Sequence, residues 1–329
     1  MVDVAILGAG ASGLMTAALL HNKSVCIIEN NTAIGAKIKV SGGAKCNITN
    51  EYLSNEYFLG DAAFIDAVLK QMNNIQLLKF LNDHNLYPKL NPKIVKGTYF
   101  CNSSSDVIEM FQDLIKKHQL LLNTKVISVD YDEGFIITTS TTIIRAKKLV
   151  VASGGLSYVQ LGASKIGYDI ASQFGHTLNK QNPALVGFTV QKDQFWFKEL
   201  SGLSVDVAIR VENKTIKGSM LFTHKGCSGP AILTTSLYWK KGQISIDFLP
   251  NKNSYLPKRF IKAFKQHCIN AQQYKEELRN YCFAPAGNFG YTKAEVTKGG
   301  VSTQQIDSYT MQSQRQKGLY FVGEVLDVT

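Results

Sequence analysis

The stretch Gly8-Ala9-Gly10-Ala11-Ser12-Gly13 constrains this chain more than any other. It follows directly on Val2–Leu7, an apolar run without alternation, as expected of a parallel strand covered on both faces. It opens an Ala- and Leu-rich segment, Ala11–His21, that reads as a helix, and Val25–Glu29 reads as a second buried strand. Strand, glycine turn, helix and strand within about 30 residues make one βαβ unit. In such a unit Gly8 permits the tight turn, Gly10 lets the backbone approach a pyrophosphate, and Gly13 lets helix and strand pack closely. Ala11 and Ser12 open the helix, where unpaired N–H groups and a partial positive charge attract phosphate. Glu29 stands at the end of the second strand, placed to accept hydrogen bonds from ribose hydroxyls and to repel a 2′-phosphate. A tight turn that binds nothing is the alternative; strand, helix and acid in register weigh against it.

The glycine motif suits FAD and NAD alike. The chain has no second Gly-x-Gly-x-x-Gly, so it lacks a pair of dedicated dinucleotide domains. Near its C-terminus it returns to a buried strand, Gly318–Val322, leading to Gly323-Glu324. Flavoproteins of this architecture use an acid at such a point to hold the flavin ribitol. FAD is therefore the expected cofactor.

Residues 31–58 are rich in Gly, Asn, Ser and Lys and read as a long ordered loop. Phe64–Met72 and Gln76–His84 read as helices, Tyr87–Cys101 as irregular, and Ser105–His118 as a helix with Val107, Ile108, Phe111, Leu114 and Ile115 on one face. Val126–Asp130, Phe135–Thr139 and Thr142–Ala146 read as short antiparallel strands, and Leu149–Ala152 as a separate buried strand ending in Ser153-Gly154-Gly155. Beyond Pro183 the pattern changes to short β-like runs: Gly187–Gln191, Val205–Val211, Gly218–Thr223 and Ile244–Phe248. Leu256–Leu278 reads as helical and basic. The expected organisation is α/β: a Rossmann-type FAD domain over 1–185, completed by 300–329, with an inserted β-rich substrate domain over 186–299. That insert carries a basic helical segment, 251–282.

With 329 residues, 45% of them hydrophobic, the chain can bury two cores or one core with an insertion. No run of 18 apolar residues occurs and no basic leader precedes the first strand, so a cytoplasmic chain without a membrane span is expected. Six cysteines show no Cys-x-x-Cys spacing, which argues against a zinc site and a dithiol pair; no metal is expected. The net charge of +11 suits an anionic cofactor or a polyanionic partner, the alternative being a solvated basic surface.

Further motifs carry a family resemblance. Ser41-Gly42-Gly43-Ala44-Lys45-Cys46-Asn47-Ile48-Thr49-Asn50 is similar to the Ser-Gly-Gly-Gly-Arg-Cys-Asn-x-Thr-Asn stretch of the HI0933-like (BaiN/RdsA-type) bacterial NAD(P)/FAD-dependent oxidoreductases. Residues 152–158 (Ala-Ser-Gly-Gly-Leu-Ser-Tyr), 221–230 (Leu-Phe-Thr-His-Lys-Gly-Cys-Ser-Gly-Pro), 294–301 (Ala-Glu-Val-Thr-Lys-Gly-Gly-Val) and 323–327 (Gly-Glu-Val-Leu-Asp) resemble the same family in the same order. The resemblance implies a glutathione-reductase-like FAD domain with an inserted β-rich domain and a short helical segment. It places Gly8, Gly10, Gly13 and Glu29 on the ADP half, and Lys37, Ser41, Gly42, Gly43, Lys45, Cys46 and Asn47 along the pyrophosphate and ring. Val126 falls at the adenine, Ala152, Ser153 and Gly154 beside the cofactor, and Gly323, Glu324 and Asp327 at the ribitol or ring. Two departures stand out. Lys45 replaces the usual Arg, which keeps the charge but loses the bidentate fork. The chain also stops at Thr329, without the closing helix the family pattern continues into, so a C-terminal truncation is expected.

Family activities imply reduction of conjugated double bonds, in a uridine of ribosomal RNA or in a small enone, or oxidation of an amine, with NAD(P)H as transient electron donor. The partner is then a small-molecule substrate or rRNA, with no obligate protein partner. A flavin-bearing nucleic-acid-binding module without catalysis is the competing class. Proton donors to a reduced carbon would come from Cys46, His224 or Thr49; the alternatives are a packing cysteine and a structural histidine. Lys225, beside His224, would meet an anionic substrate.

Overall fold

The computed structural model describes residues 1–92, 96–251, 255–267 and 274–329. Parts of the expected irregular stretch Tyr87–Cys101 and of the expected basic helical segment 251–282, Lys93, Lys252 and Cys268 among them, lie outside the described residues. The chain forms two compact units: residues 1–181 with 298–329, and residues 182–297.

The first unit is built on six strands: β1 (Val2–Leu7), β2 (Val25–Ile28), β3 (Gln119–Leu121), β4 (Val126–Tyr131), β5 (Phe135–Thr139) and β6 (Ile143–Val151). They lie in the order β3-β2-β1-β6-β5-β4, and Leu319–Phe321 adds a seventh strand beside β6. The β3-β2-β1-β6 part is parallel. Here the structure corrects the sequence reading, which split β6 into Thr142–Ala146 and Leu149–Ala152. One strand runs through both segments and forks. Residues 143–146 pair antiparallel with β5, and residues 149–151 pair parallel with Leu319–Phe321. The burial explains the misreading: it alternates over Ile143–Ala146, where one face is covered, and is continuous over Leu149–Val151, where both are.

The expected loop over 31–58 also carries structure: helix Ala36–Val40, strand Asn47–Asn50 and a 3₁₀ turn at Asn55–Tyr57. The expected irregular stretch Tyr87–Cys101 supplies Lys89–Leu90 and Thr98–Phe100, which join Asn47–Asn50 in a three-stranded antiparallel sheet. Strands this short have no readable period; burial of Thr98 and Phe100 fixes them instead. The helices conform more closely. Asn74–Asp83 begins with a reciprocal capping box between Asn73 and Gln76. Ser104–Ile115 buries Val107, Met110, Phe111 and Ile115 on its inward face.

The second unit is a seven-stranded sheet in the order Tyr281–Phe283, Ile244–Asp247, Ser204–Val211, Lys214–Thr223, Gly226–Ser228, Phe188–Thr189 and Gly287–Asn288, antiparallel throughout. Its core is aromatic: Phe188, Phe197, Phe222, Phe248, Phe260, Phe264 and Phe283 are buried, several packed edge-on around Trp196. Within the stretch expected as helical, Leu256–Leu278, the described residues form the helices Lys258–His267 and Tyr274–Arg279. Phe260 and Phe264 stack on its inward face, while Lys258, Arg259, Lys262 and Lys265 are exposed. No helix among the described residues is long and apolar enough to cross a membrane.

Candidate functional site

The three glycines of the first turn divide by what surrounds them. A Cβ on Gly8, at φ +102°, would stand 2.5 Å from the Ala152 carbonyl oxygen. On Gly13 it would stand 2.0 Å from the Gly8 carbonyl oxygen and 3.3 Å from the Ala152 Cβ. These two are glycine because the fold leaves no room. Gly10 differs: its backbone, at φ −82° and ψ −172°, suits any residue, and nothing lies within 4 Å of a Cβ built there. No protein contact requires glycine at this position. The free space lies over a helix, Ala11–Leu19, whose start carries no side-chain cap. Its first N–H groups are left without a side-chain partner, an arrangement that attracts anions.

Glu29 completes this corner. One carboxylate oxygen accepts the Ala9 N–H at 2.7 Å and the other the Asn31 N–H at 2.9 Å. Each oxygen keeps a lone pair for a sugar hydroxyl. Two adjoining cavities meet at Gly8, Glu29 and Ser153. One, about 240 Å³, is lined by Gly8, Gly10, Ala11, Ser12, Glu29, Lys37, Ala152, Ser153, Gly154, Gly323 and Glu324. The other, about 420 Å³, is lined by Leu7, Ile28, Val126, Lys165 and Asp169 among others. The first matches a pyrophosphate and ribitol, the second an adenosine. The buried Ser153 hydroxyl has no hydrogen-bond partner among the described residues. At the far side Lys37 Nζ and Glu324 Oε2 form an ion pair at 2.7 Å, both side chains partly shielded from water. The residues present therefore fit FAD: glycine without an internal reason, an uncapped helix start, a carboxylate fixed by two main-chain N–H groups where a ribose would lie and a lysine where the phosphates would pass.

Other expected site residues are placed elsewhere. Ser41, Gly42, Gly43, Lys45, Cys46 and Asn47 form the turn that follows helix Ala36–Val40 and line neither cavity. That turn is closed by the Cys46 N–H donating to the Ser41 carbonyl and the Asn47 N–H to the Ser41 hydroxyl. Lys45 is exposed. Cys46 is buried in the core beside β1, its thiol pushed up to about 11 by burial, and Cys101 is raised to about 11 in the same way. Thr49 is buried, opposite Tyr99 in the small sheet. Asp327, expected at the ribitol or ring, lines neither cavity and accepts from Asn179 Nδ2 at 2.6 Å. Gly13 packs inside the turn.

The segment Leu161–Asp169 was missed in the sequence, yet Leu161, Gly162, Ala163, Lys165 and Asp169 line the two cavities. Asn31 Nδ2 donates to the Leu161 carbonyl at 3.0 Å, and a Cβ on Gly162, at φ +89°, would strike Asn31. A glycine soon after Ser153-Gly154-Gly155 was the available signal.

In the second unit His224 and Lys225 are exposed at a separate cavity of about 820 Å³, lined also by Thr189, Leu221, Thr223, Phe289, Thr292, Lys293 and Glu295. Among the described residues no cluster of three or more His, Cys, Asp or Glu could hold a metal ion.

Comparison with known proteins extends over the whole chain. A ribosomal RNA dihydrouridine synthase of Escherichia coli (strain K12) is 34% identical, the match covering 99% of this chain and 92% of that protein. A protein of the same name from Haemophilus influenzae is 33% identical, with coverage of 98% and 92%. A 3-dehydro-bile acid delta(4,6)-reductase of Clostridium scindens is 27% identical, with coverage of 100% and 93%. The family model described as the HI0933-like protein Rossmann domain matches residues 2–329, and the chain belongs to that family.

Proposed function

We propose that this chain is an FAD-dependent oxidoreductase that reduces a conjugated carbon–carbon double bond, with NAD(P)H as electron donor and a uridine of ribosomal RNA as substrate. The observation that carries the cofactor reading is Gly10, glycine where the protein itself needs none, facing an uncapped helix start. When bound, FAD supplies hydride transfer at its ring. Glu29 would hold the ribose, the N–H groups of Ala11 and Ser12 would meet the pyrophosphate, and Lys37, oriented by Glu324, would add positive charge beside it. Of the three proton-donor candidates, His224 alone stands exposed at a cavity; Cys46 and Thr49 are buried, and a thiol raised to about 11 is poorly matched to neutral pH. Of the three, only the His224 side chain is therefore open to a ligand from solution.

The uridine reading follows the two relatives above 30% identity, whose names specify dihydrouridine synthesis in ribosomal RNA. The exposed lysines of helix Lys258–His267 support it, since they offer charge to phosphates. A cytoplasmic location accompanies this substrate. A small enone is the second reading, favoured by the bile-acid reductase among the relatives. The purified protein should be yellow, and NADPH should bleach its flavin absorbance under anaerobic conditions. Cells lacking the gene should lose one ribosomal dihydrouridine and regain it on complementation. Unchanged ribosomal dihydrouridine in the deletion would exclude the RNA substrate; a flavin that NADPH leaves oxidised would exclude the donor.

A further inference from the structure

The cavity of the second unit has no role so far beyond presenting His224. At about 820 Å³ it is within the size range of small-ligand sites. Two turns frame it, and both are fixed by the main chain. In the first, the Thr223 hydroxyl accepts the N–H groups of Lys225 at 3.4 Å and Gly226 at 3.1 Å. In the second, Asn288 Oδ1 accepts the Gly290 N–H at 2.9 Å, and the Gly290 carbonyl accepts from Lys293 at 3.1 Å and Ala294 at 3.0 Å. Each turn thus holds a lysine at the cavity, and among the described residues neither Lys225 nor Lys293 has an acidic side chain within ion-pair distance.

The walls are mixed. Phe289 packs directly on the backbone of Gly187, where a Cβ would stand 2.4 Å from its ring, so the aromatic plane is held in place. Around it are the hydroxyls of Thr189, Ser201, Thr223, Ser228 and Thr292 and the carboxyl of Glu295. Burial raises the Glu295 carboxyl above the usual carboxylate range. Thr292 already donates to the Phe289 carbonyl, but an apolar polycyclic ligand would leave the Thr189, Ser201 and Ser228 hydroxyls and both lysines without partners, which is costly. A planar ring with alternating carbonyl and N–H groups would use the hydroxyls as donors and Glu295 as acceptor, and would stack on Phe289. Two unpaired ammonium groups call for a phosphate.

We propose that this cavity is a pyrimidine-nucleotide site, with Lys225 and Lys293 on the phosphate and Phe289 under the base. The assignment rests on the uridine reading above and locates its substrate within the second unit. The test uses the full-length flavin-loaded protein, titrated calorimetrically with uridine 5′-monophosphate, with uridine, and with a 3-keto-4-ene steroid. Lys225→Ala and Lys293→Ala should each weaken uridine monophosphate binding about tenfold while leaving uridine binding, flavin content and melting temperature unchanged. Phe289→Leu should weaken both uridine and its monophosphate. Absence of saturable nucleotide binding by the wild-type protein would overturn the assignment, as would lysine variants that bind the nucleotide like wild type. Steroid binding that Phe289→Leu abolishes, without nucleotide binding, would reassign the cavity to an enone. These outcomes are separate from the cellular dihydrouridine measurement, which tests the reaction and not the cavity.

Discussion

Gly10→Ala and Gly13→Ala should fail in opposite ways, although both add one methyl group to the same turn. At Gly13 the new Cβ would lie 2.0 Å from the Gly8 carbonyl oxygen. Carbon–oxygen contacts are normally about 3.3–3.6 Å, so the helix must retreat by more than about 1 Å. Overpacking of this kind costs about 1–3 kcal/mol. The obstacle is backbone and cannot rotate away, which favours the upper part of that range. The better helix propensity of Ala returns about 1 kcal/mol. The net loss is about 1–2 kcal/mol, a fall in melting temperature of about 2–8 °C at about 2–4 °C per kcal/mol. At Gly10 the methyl meets nothing within 4 Å and the backbone already suits it. A poorer N-cap, costing about 0.5–1 kcal/mol, is offset by about 0.4–1 kcal/mol of lost unfolded-state entropy. The flavin-free Gly10→Ala protein should therefore melt like wild type. Its FAD affinity should fall about 100-fold, because the methyl displaces the pyrophosphate from charge-assisted N–H bonds worth about 1.5–3 kcal/mol each. Melting of the flavin-free proteins and fluorescence titration with FAD separate the two effects. A Gly13→Ala protein as stable as wild type, or a Gly10→Ala protein with unaltered FAD affinity, would refute the division.

Burial lowers the pKa of His118, His176 and His267 below the ordinary imidazole value. As pH falls through about 6.5 the unfolded chain takes up protons that the folded chain refuses, so stability should decline from pH 7.5 to 5. His176→Gln should lessen that decline in thermal melts, and an unchanged slope would count against it. Among the described cysteines, Cys282 is exposed, whereas Cys26, Cys46 and Cys101 are buried with thiols raised to about 11. Brief alkylation at pH 8 followed by peptide mass spectrometry should mark Cys282 ahead of those three. Replacing Lys258, Lys262 and Lys265 by Glu should weaken RNA binding and reduce the slope of log K against log[salt] by about 2–3, without loss of FAD. An unaltered slope would leave that helix a solvated face.

The nucleotide corner was legible because its parts are local. Gly8, Gly10, Gly13 and Glu29 fall within one βαβ unit, and each answers to a steric or electrostatic need visible in the sequence. Glu324 was legible from the returning strand that precedes it, whereas Lys37 was legible only through the resemblance, since 287 positions separate the partners of their ion pair. Leu161–Asp169 was not legible: Leu161, Gly162 and Ala163 carry no distinctive chemistry, and Lys165 and Asp169 sit in no motif that marks them as lining the two cavities. The Ser41–Asn47 turn shows the converse. Its composition drew attention to the ring, yet Gly42 is glycine at least in part because Phe100 lies 2.8 Å from where its Cβ would be. Composition alone does not separate a glycine that faces a ligand from one that faces a neighbouring side chain.

The fork in β6 has a consequence for the order in which the site is assembled during synthesis. The upper arm of the fork, Leu149–Val151, receives Leu319–Phe321 only after the whole of residues 182–297 has been made. A nascent chain emerging from the ribosome therefore has its glycine turn, helix and Glu29 early, but lacks Gly323 and Glu324 until the end. Throughout that interval one edge of β6 is unpaired, and such edges attract other strands. The wall of the smaller cavity that Gly323 and Glu324 supply is thereby the last to be completed.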